Sequence, residues 1–230
     1  MISVILATRK RVNNVLRLWQ SLLENTVGDL EVVFALDEDD NETITAVRCL
    51  EERDMIKKTV MVNYRDFVPV RINEALAECH GSVITLWGDD LVVHTLGWNL
   101  IMEGAFKIWP DNIGVVYCKD ERHDEELCTH PYIGREWIET VSYAAYPEFF
   151  HYYVDTWTHD IAKRVGRLRY IPEVFVQHLH CDRNMAPVDD VYLNNFPYYN
   201  KDDETFNKHV ERRVQDAEKL LKAISVLKVC

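Results

Sequence analysis

The sequence has no Cys-x-x-Cys pair. Its six cysteines, Cys49, Cys79, Cys118, Cys128, Cys181 and Cys230, lie scattered along the chain. That pattern excludes a disulfide framework and a zinc site, and reads as reduced thiols in a cytoplasmic protein. A long hydrophobic run is also missing. The apolar opening, Ile2 to Thr8, follows no positive segment and is far too short for a signal-peptide core or a membrane span. Basic charge is scarce: 26 Lys and Arg face 38 Asp and Glu, giving a net charge of −12 and a pI near 5.2. General affinity for DNA or RNA backbones is therefore not expected. Nucleotides remain open, because a bound divalent metal supplies positive charge locally. There is no internal repeat and no linker, so the 230 residues are read as one soluble domain.

What is present alternates regularly. Residues 2–8 form a short, nearly continuous apolar run and predict a buried first strand. Val12 to Glu24 predicts an amphipathic helix with Val12, Val15, Leu16, Trp19, Leu22 and Leu23 on one stripe. A second strand over 30–36 runs into the acidic loop Asp37-Glu38-Asp39-Asp40. Thr43–Glu52 reads as helix, Lys58–Tyr64 as strand and Pro69–Cys79 as helix, with Gly81 as its stop signal. Val83–Trp87 is the fourth strand. Strand and helix in alternation predict a parallel, doubly wound α/β sheet for the first hundred residues.

Beyond Asn112 the pattern loosens. Ile113–Cys118 reads as strand, Lys119–His130 as a mobile acid-rich loop, and Tyr132–Val141 as ambiguous. Phe149–Val165 predicts a helix ended by Gly166. Tyr170–Leu179 predicts a strand, broken early by Pro172 and terminating in His178-Leu179-His180. Residues 182–203 read as loop. Thr205–Val229 closes the chain as a helix with Phe206, Val210, Val214, Ala217, Leu220, Leu221, Ile224 and Leu227 on one face.

In doubly wound sheets ligands bind outside the carboxyl ends of the strands. Three such ends carry polar clusters here: Thr8-Arg9, Asp37 with its neighbours, and Asp89-Asp90 after Gly88. Adjacent carboxylates at a strand end suit magnesium or manganese, which share oxygen ligands with substrate phosphates. Each cluster taken alone is equally a solvated turn; the three at one edge point to a nucleotide pocket.

The order of elements over residues 1–182 resembles the inverting glycosyltransferases of the GT-A fold, the family-2-like type. Ser3 to Arg9 with Asn13-Asn14 looks like that family's first strand and uridine-side loop, Arg71-Ile72-Asn73-Glu74-Ala75-Leu76 looks like its donor-holding helix, and Gly88-Asp89-Asp90 aligns with its DXD motif. The resemblance implies a mixed, mainly parallel α/β sheet flanked by helices. Within it, 1–112 would be the nucleotide-sugar half, 113–203 the acceptor side and 204–230 a C-terminal helix. It implies a nucleotide-diphosphate sugar donor, most readily a UDP-sugar, held by Thr8, Arg9, Asp37, Arg71 and Asp89, and a hydroxyl acceptor. It implies Mn2+ or Mg2+ on Asp90 and on His178 or His180. The sequence departs from the motif at Gly88, where the family carries its first Asp. The catalytic base implied is Asp155, with Asp160 one turn further as the spare.

Residue by residue, blander roles stand beside these: an exposed helical Asp at 155, a structural histidine at 178. His178 and His180, two apart on a strand, are expected on one face. Trp137 and Tyr152-Tyr153 are the aromatics expected to stack on sugar, and Asp189-Asp190-Val191-Tyr192 resembles the closing loops of related enzymes. Two other readings stay open. One is a sugar-nucleotide nucleotidyltransferase, against which Thr8-Arg9-Lys10-Arg11 contains no glycine. The other is a GT-A module that binds nucleotide or carbohydrate without turnover.

Overall fold

The computed structural model describes residues 1–64 and 66–227, Leu227 by its backbone alone. In chain order the principal elements are β1 (Ile2–Thr8), α1 (Val12–Asn25), β2 (Leu30–Asp37), α2 (Asn41–Cys49), β3 (Ile56–Asn63), α3 (Val68–Ala75), β4 (Val83–Trp87), β5 (Leu91–Val93) and α4 (Trp98–Ala105). There follow β6 (Val115–Lys119), β7 (Tyr132–Gly134), α5 (Arg135–Val141), α6 (Val154–Val165), β8 (Leu168–His178), α7 (Asp190–Asn195), α8 (Tyr199–Lys208) and α9 (Val210–Leu227). The strands form one sheet in the order β3-β2-β1-β4-β7-β6-β8-β5. The first four are parallel, β7 runs antiparallel to both β4 and β6, β6 and β8 are parallel, and β5 closes the edge antiparallel to β8.

Both faces of the sheet are covered, which is why β1 and β2 read as unbroken apolar runs. Val4, Leu6, Val32 and Phe34 pack on one side with Val15, Leu18, Trp19, Leu22 and Trp98. Ile5, Val33 and Ala35 pack on the other with Ile72, Trp157, Ile161 and Leu220. Alternation along each strand delivers the two sets.

Several local expectations change. In α1, Leu18 takes the buried place expected of Leu16, which is 46% exposed. The third helix ends at Ala75 and continues as a 3₁₀ turn to Glu78. Gly81 is therefore not its stop signal: a β-carbon there would stand 2.7 Å from the Met1 carbonyl oxygen and the Ser3 amide nitrogen, so the glycine lets the chain pass close to β1. The segment 119–130 is ordered around Asp120 and a 3₁₀ turn at Asp124–Glu126, and the ambiguous 132–141 splits into β7 and α5.

Helix α6 begins at Val154, not Phe149. The residues before it form a turn held by Asp202, whose carboxylate accepts the backbone N–H groups of Phe150, His151 and Tyr152 at 2.8, 2.9 and 2.7 Å. Strand β8 absorbs Pro172 in a bulge: pairing with β6 jumps from Cys118–Ile171 to Lys119–Phe175, where a residue without an N–H costs no ladder bond. The stretch 182–203, expected as loop, contains α7 and the start of α8. The last helix is interrupted after Lys208, and α9 packs on α5 and α6. Its buried residues include Arg213, Asp216, Ala217, Leu220 and Ile224, whereas Val210, Val214 and Leu221 face outward. The predicted positions 228 and 229, the side chain of Leu227 and the thiol of Cys230 lie outside the described residues.

Candidate active site

The carboxyl ends of β1, β2 and β4 lie along one edge because these strands are parallel and in step, Leu6 pairing with Trp87 and Thr8 with Leu36. A cavity of about 830 Å³ opens there and runs across to the start of α6. Thr8, Arg9, Asp37, Arg71, Asp89, Asp90, His178, His180 and Asp155 all line it. Asp160 instead pairs outside it with Arg164 and Arg213. Trp137, expected on sugar, is buried in the core under the sheet; Tyr152 and Tyr153 do line the cavity.

At the first end of the cavity, Arg9 Nη1 donates to Asp37 Oδ2 at 3.0 Å and also holds Asp39. Arg71 lies buried behind, its Nε 3.5 Å from Asp37 Oδ1 and its guanidinium donating to the Leu36 carbonyl. Burial pushes the Asp37 carboxyl above its ordinary range despite the two arginines.

Asp89 accepts bonds from Thr8 Oγ1 (2.6 Å), Asn14 Nδ2 (3.1 Å) and Arg11 Nη1 (3.3 Å). It thus ties β4 to the β1–α1 loop, and burial beside Asp90 raises its pKa. Arg11 continues outward, gripping Asp189 through Nε (2.7 Å) and Nη2 (2.9 Å) and lying 4.2 Å over the Tyr192 ring. The Tyr192 hydroxyl donates to Asp90 Oδ2 at 2.9 Å. The acidic-aromatic segment near the chain's end is therefore folded onto the Asp89-Asp90 turn.

Asp90 meets His178 through backbone pairing. Strand β5, which had no distinct sequence signal, pairs Leu91 with His178, and the Leu179 N–H donates to the Asp90 carbonyl at 2.8 Å. This sets His178 Nε2 3.5 Å from Asp90 Oδ1, with both residues buried. Burial works against the charge on each, but their partners outweigh it: His178 holds the Asp90 carboxyl low, and Asp120 together with Asp90 raises the His178 imidazole. On the ring's other side stand His130 Nε2, 3.4 Å from His178 Nδ1, and Asp120 Oδ2, 3.8 Å from it. Burial and the neighbouring His178 push the His130 imidazole down to about 3. His180 does not share the strand face expected of it. The strand ends at His178, and His180 caps the following 3₁₀ turn, its Nδ1 accepting the Asp182 N–H at 3.3 Å.

Among the described residues no group of three or more His, Cys, Asp or Glu side chains is arranged to hold a metal ion. A two-residue set remains chemically fitting for a cation shared with a diphosphate. Magnesium and manganese characteristically take one or two protein ligands together with substrate phosphates, and imidazole suits manganese. Asp90 Oδ1 and His178 Nε2, the latter once its proton is displaced, would supply such a pair.

At the far end, the turn tethered by Asp202 rises through Tyr153, whose φ of 67° is left-handed, into the first turn of α6. Asp155 sits in that turn, its Oδ1 accepting the Thr156 N–H at 2.7 Å. Burial pushes its carboxyl above the ordinary range, the direction a general base needs. His151, also on the cavity wall, is pushed down to about 4 by burial and by Arg11. Asp120, His130 and His151 were not singled out from sequence. The first two lie in a stretch without periodicity, and His151 lies in a turn that reads as helix.

Comparison with known proteins agrees with this architecture. The mannosyltransferase PcManGT from Pyrobaculum calidifontis, solved in complex with GDP-Man and Mn2+, superposes with a TM-score of 0.66 at 14% identity, covering 100% of this chain and 75% of that one. S. aureus TarS 1–349 gives 0.60 at 14% identity, with 97% and 80% covered. The same protein in complex with UDP-GlcNAc gives 0.58 at 15% identity, with 78% and 59% covered. At such identities the likeness establishes the fold, a mixed α/β sheet of the GT-A type. No curated protein matches the chain. Residues 3–133, more than half of its length, match the sequence pattern described as glycosyl transferase family 2. With that pattern running from β1 into β7 and the fold in agreement, the chain belongs to glycosyl transferase family 2.

Proposed function

We propose that the protein transfers a sugar from a nucleotide-diphosphate donor to a hydroxyl acceptor, with inversion and with a divalent metal. The observation that carries this reading is that one cavity is lined by Arg9, Asp37 and Arg71, by the Asp90–His178 pair and by Asp155 at the start of α6. The solved complexes of PcManGT with GDP-Man and Mn2+ and of TarS with UDP-GlcNAc support a nucleotide sugar in a fold of this kind. We take a UDP-sugar as the donor and read residues 1–230 as one domain, 1–112 facing the donor, 113–203 facing the acceptor and 204–230 closing the core. The five free cysteines among the described residues fit a reducing compartment, the cytoplasm.

In the mechanism, Arg9, Asp37 and Arg71 orient the nucleoside, and Thr8, Asn14 and Arg11 keep Asp89 fixed beneath the diphosphate. Asp90 and His178 would hold manganese or magnesium, which neutralises charge on the leaving diphosphate. Asp155 accepts the proton of the acceptor hydroxyl. The freed oxygen forms a bond to the anomeric carbon as the bond from that carbon to the diphosphate oxygen breaks, and the diphosphate leaves with the electron pair. Attack from the face opposite the leaving group inverts the centre. Tyr152 and Tyr153, beside Asp155, offer rings for the acceptor or the transferred sugar.

Calorimetric titration of UDP, and then of GDP, with and without Mn2+, on the wild type and on Asp90→Ala tests the reading. Metal-dependent binding that disappears in the variant is the expected result. Binding of nucleotide without sugar transfer or donor hydrolysis would point to a non-catalytic module, and no binding of either nucleotide would overturn the transferase reading.

A further inference from the structure

The pair formed by Asp90 and His178 is itself gripped from both outer sides, by residues to which the proposed reaction assigns no role. On the Asp90 side, the Tyr192 hydroxyl donates to Oδ2 at 2.9 Å, which leaves Oδ1 turned to His178 Nε2. Tyr192 is buried and is not free to wander. Asp189 caps its helix, accepting the N–H groups of Val191 and Tyr192 at 3.0 Å, and Arg11 clamps Asp189 and covers the phenol ring. On the His178 side, Asp120 is fixed just as firmly. Its Oδ1 accepts the N–H groups of Arg122, His123 and Asp124 at 2.9, 2.8 and 2.9 Å, and its backbone carbonyl accepts the His178 N–H at 3.0 Å. Its Oδ2 is buried without a hydrogen-bond partner and stands 3.8 Å from His178 Nδ1.

A carboxylate oxygen can only accept, so Asp120 Oδ2 suits a proton on His178 Nδ1, the nitrogen that also faces His130 Nε2 at 3.4 Å. A cation bound at Asp90 Oδ1 would take the place of the proton that pairs His178 Nε2 with that oxygen at 3.5 Å, and the proton on Nδ1 would remain toward Asp120. A ligating histidine whose other nitrogen faces a carboxylate is the general way that outer groups orient metal ligands.

We propose that Tyr192 and Asp120 are positioning residues for a divalent-cation site on Asp90 and His178, the phenol aiming the carboxylate and the outer carboxylate aiming the imidazole. This rests on the metal-dependent reading above and extends it to two residues to which that reading gives no part. It also gives the chain's late segment a function: Arg11, Asp189 and Tyr192 connect the β1–α1 loop to the cation site through a single strap.

The test is Mn2+ titration followed by electron paramagnetic resonance, in the presence of UDP, on the wild type, Tyr192→Phe and Asp120→Asn, with thermal melting of each. Phenylalanine removes only the hydroxyl. Asparagine keeps an oxygen for the three backbone N–H bonds while ending the preference for the Nδ1 proton. The expected result is Mn2+ affinity weakened about 10- to 100-fold in each variant, with the melting midpoint kept. Wild-type protein that binds no Mn2+ would overturn the metal reading and this proposal with it. Wild-type binding matched by both variants would overturn this proposal alone, and loss in only one variant would remove the other residue from it. Tighter binding by Tyr192→Phe would reverse the role of the phenol, making it a competitor of the cation.

Discussion

A β-carbon built on Gly88 would stand 2.7 Å from Oδ1 of Asp90, closer than side chains approach one another. The glycine at the first position of the Gly88-Asp89-Asp90 motif thus makes room for the Asp90 rotamer that faces His178. Filling the motif with an acidic residue would displace the carboxylate proposed to hold the metal. Gly88→Ala, which adds that β-carbon and nothing else, is expected to weaken metal-dependent UDP binding roughly tenfold, and Gly88→Asp to weaken it at least as much. Calorimetry on the two variants checks this; a gain in affinity for Gly88→Asp would contradict it.

Asp155→Asn keeps the shape of the first turn of α6 but removes the proton acceptor. Transfer is expected to fall by about 10²–10⁴-fold with donor binding unchanged, measured as product formation and as UDP titration. Because burial raises the Asp155 carboxyl, the working ionised form is lost as pH falls through that raised value. The acid limb of activity should therefore lie above the ordinary aspartate range of about 3.9. An acid limb at or below that range would place the proton on another group.

Asp202 is fully buried and its carboxylate holds three consecutive N–H groups of the turn before α6. Its replacement by alanine strands those donors, each charge-assisted bond contributing about 1.5–3 kcal/mol. Asp202→Ala is expected to lose about 3 kcal/mol or more in urea unfolding. Hydrogen exchange at Phe150, His151 and Tyr152 should quicken beyond that of the sheet, since the loss is local to the turn.

At the opposite edge of the sheet, Glu31 accepts from Ser3 Oγ and from the His80 N–H, with the His80 ring 2.8 Å from its other oxygen. Burial pushes the Glu31 carboxyl up, and these partners outweigh it, so the folded-state value lies below the unfolded one. Its contribution is thus present above the ordinary glutamate value of about 4.3 and is lost as pH falls through the lower, folded-state value. Glu31→Gln is expected to be less stable than wild type at neutral pH, with the gap narrowing in acid. A gap independent of pH would show that the charge on Glu31 is not what matters there.

Much of the donor edge was legible in the sequence. The runs at 2–8, 30–36 and 83–87 are short, apolar and separated by amphipathic helices, and this combination permits little besides parallel strands with both faces covered. The polar residues just past each run then had to share one edge, so Thr8, Arg9, Asp37, Asp89 and Asp90 were found together. Periodicity failed where side-chain partners replaced it. Phe149 to Tyr153 has helical composition, yet the carboxylate of Asp202, fifty residues on, satisfies its amides as a turn. Leu91–Val93 is too short to show a period at all. Leu16 lost its place in the core to Leu18 because the sheet fixed the rotation of α1.

The sequence by itself determined the layers and which strand ends carry polar groups, because hydrophobic period and strand order are local properties of the chain. It did not determine how the second half returns to the first. That depended on a three-residue strand whose pairing sets Asp90 against His178, on Arg11 reaching Asp189, and on Asp120 aligned with the far side of an imidazole. These contacts join residues about 60 to nearly 180 positions apart, held by geometry that no local pattern encodes, and only the tertiary structure decided them.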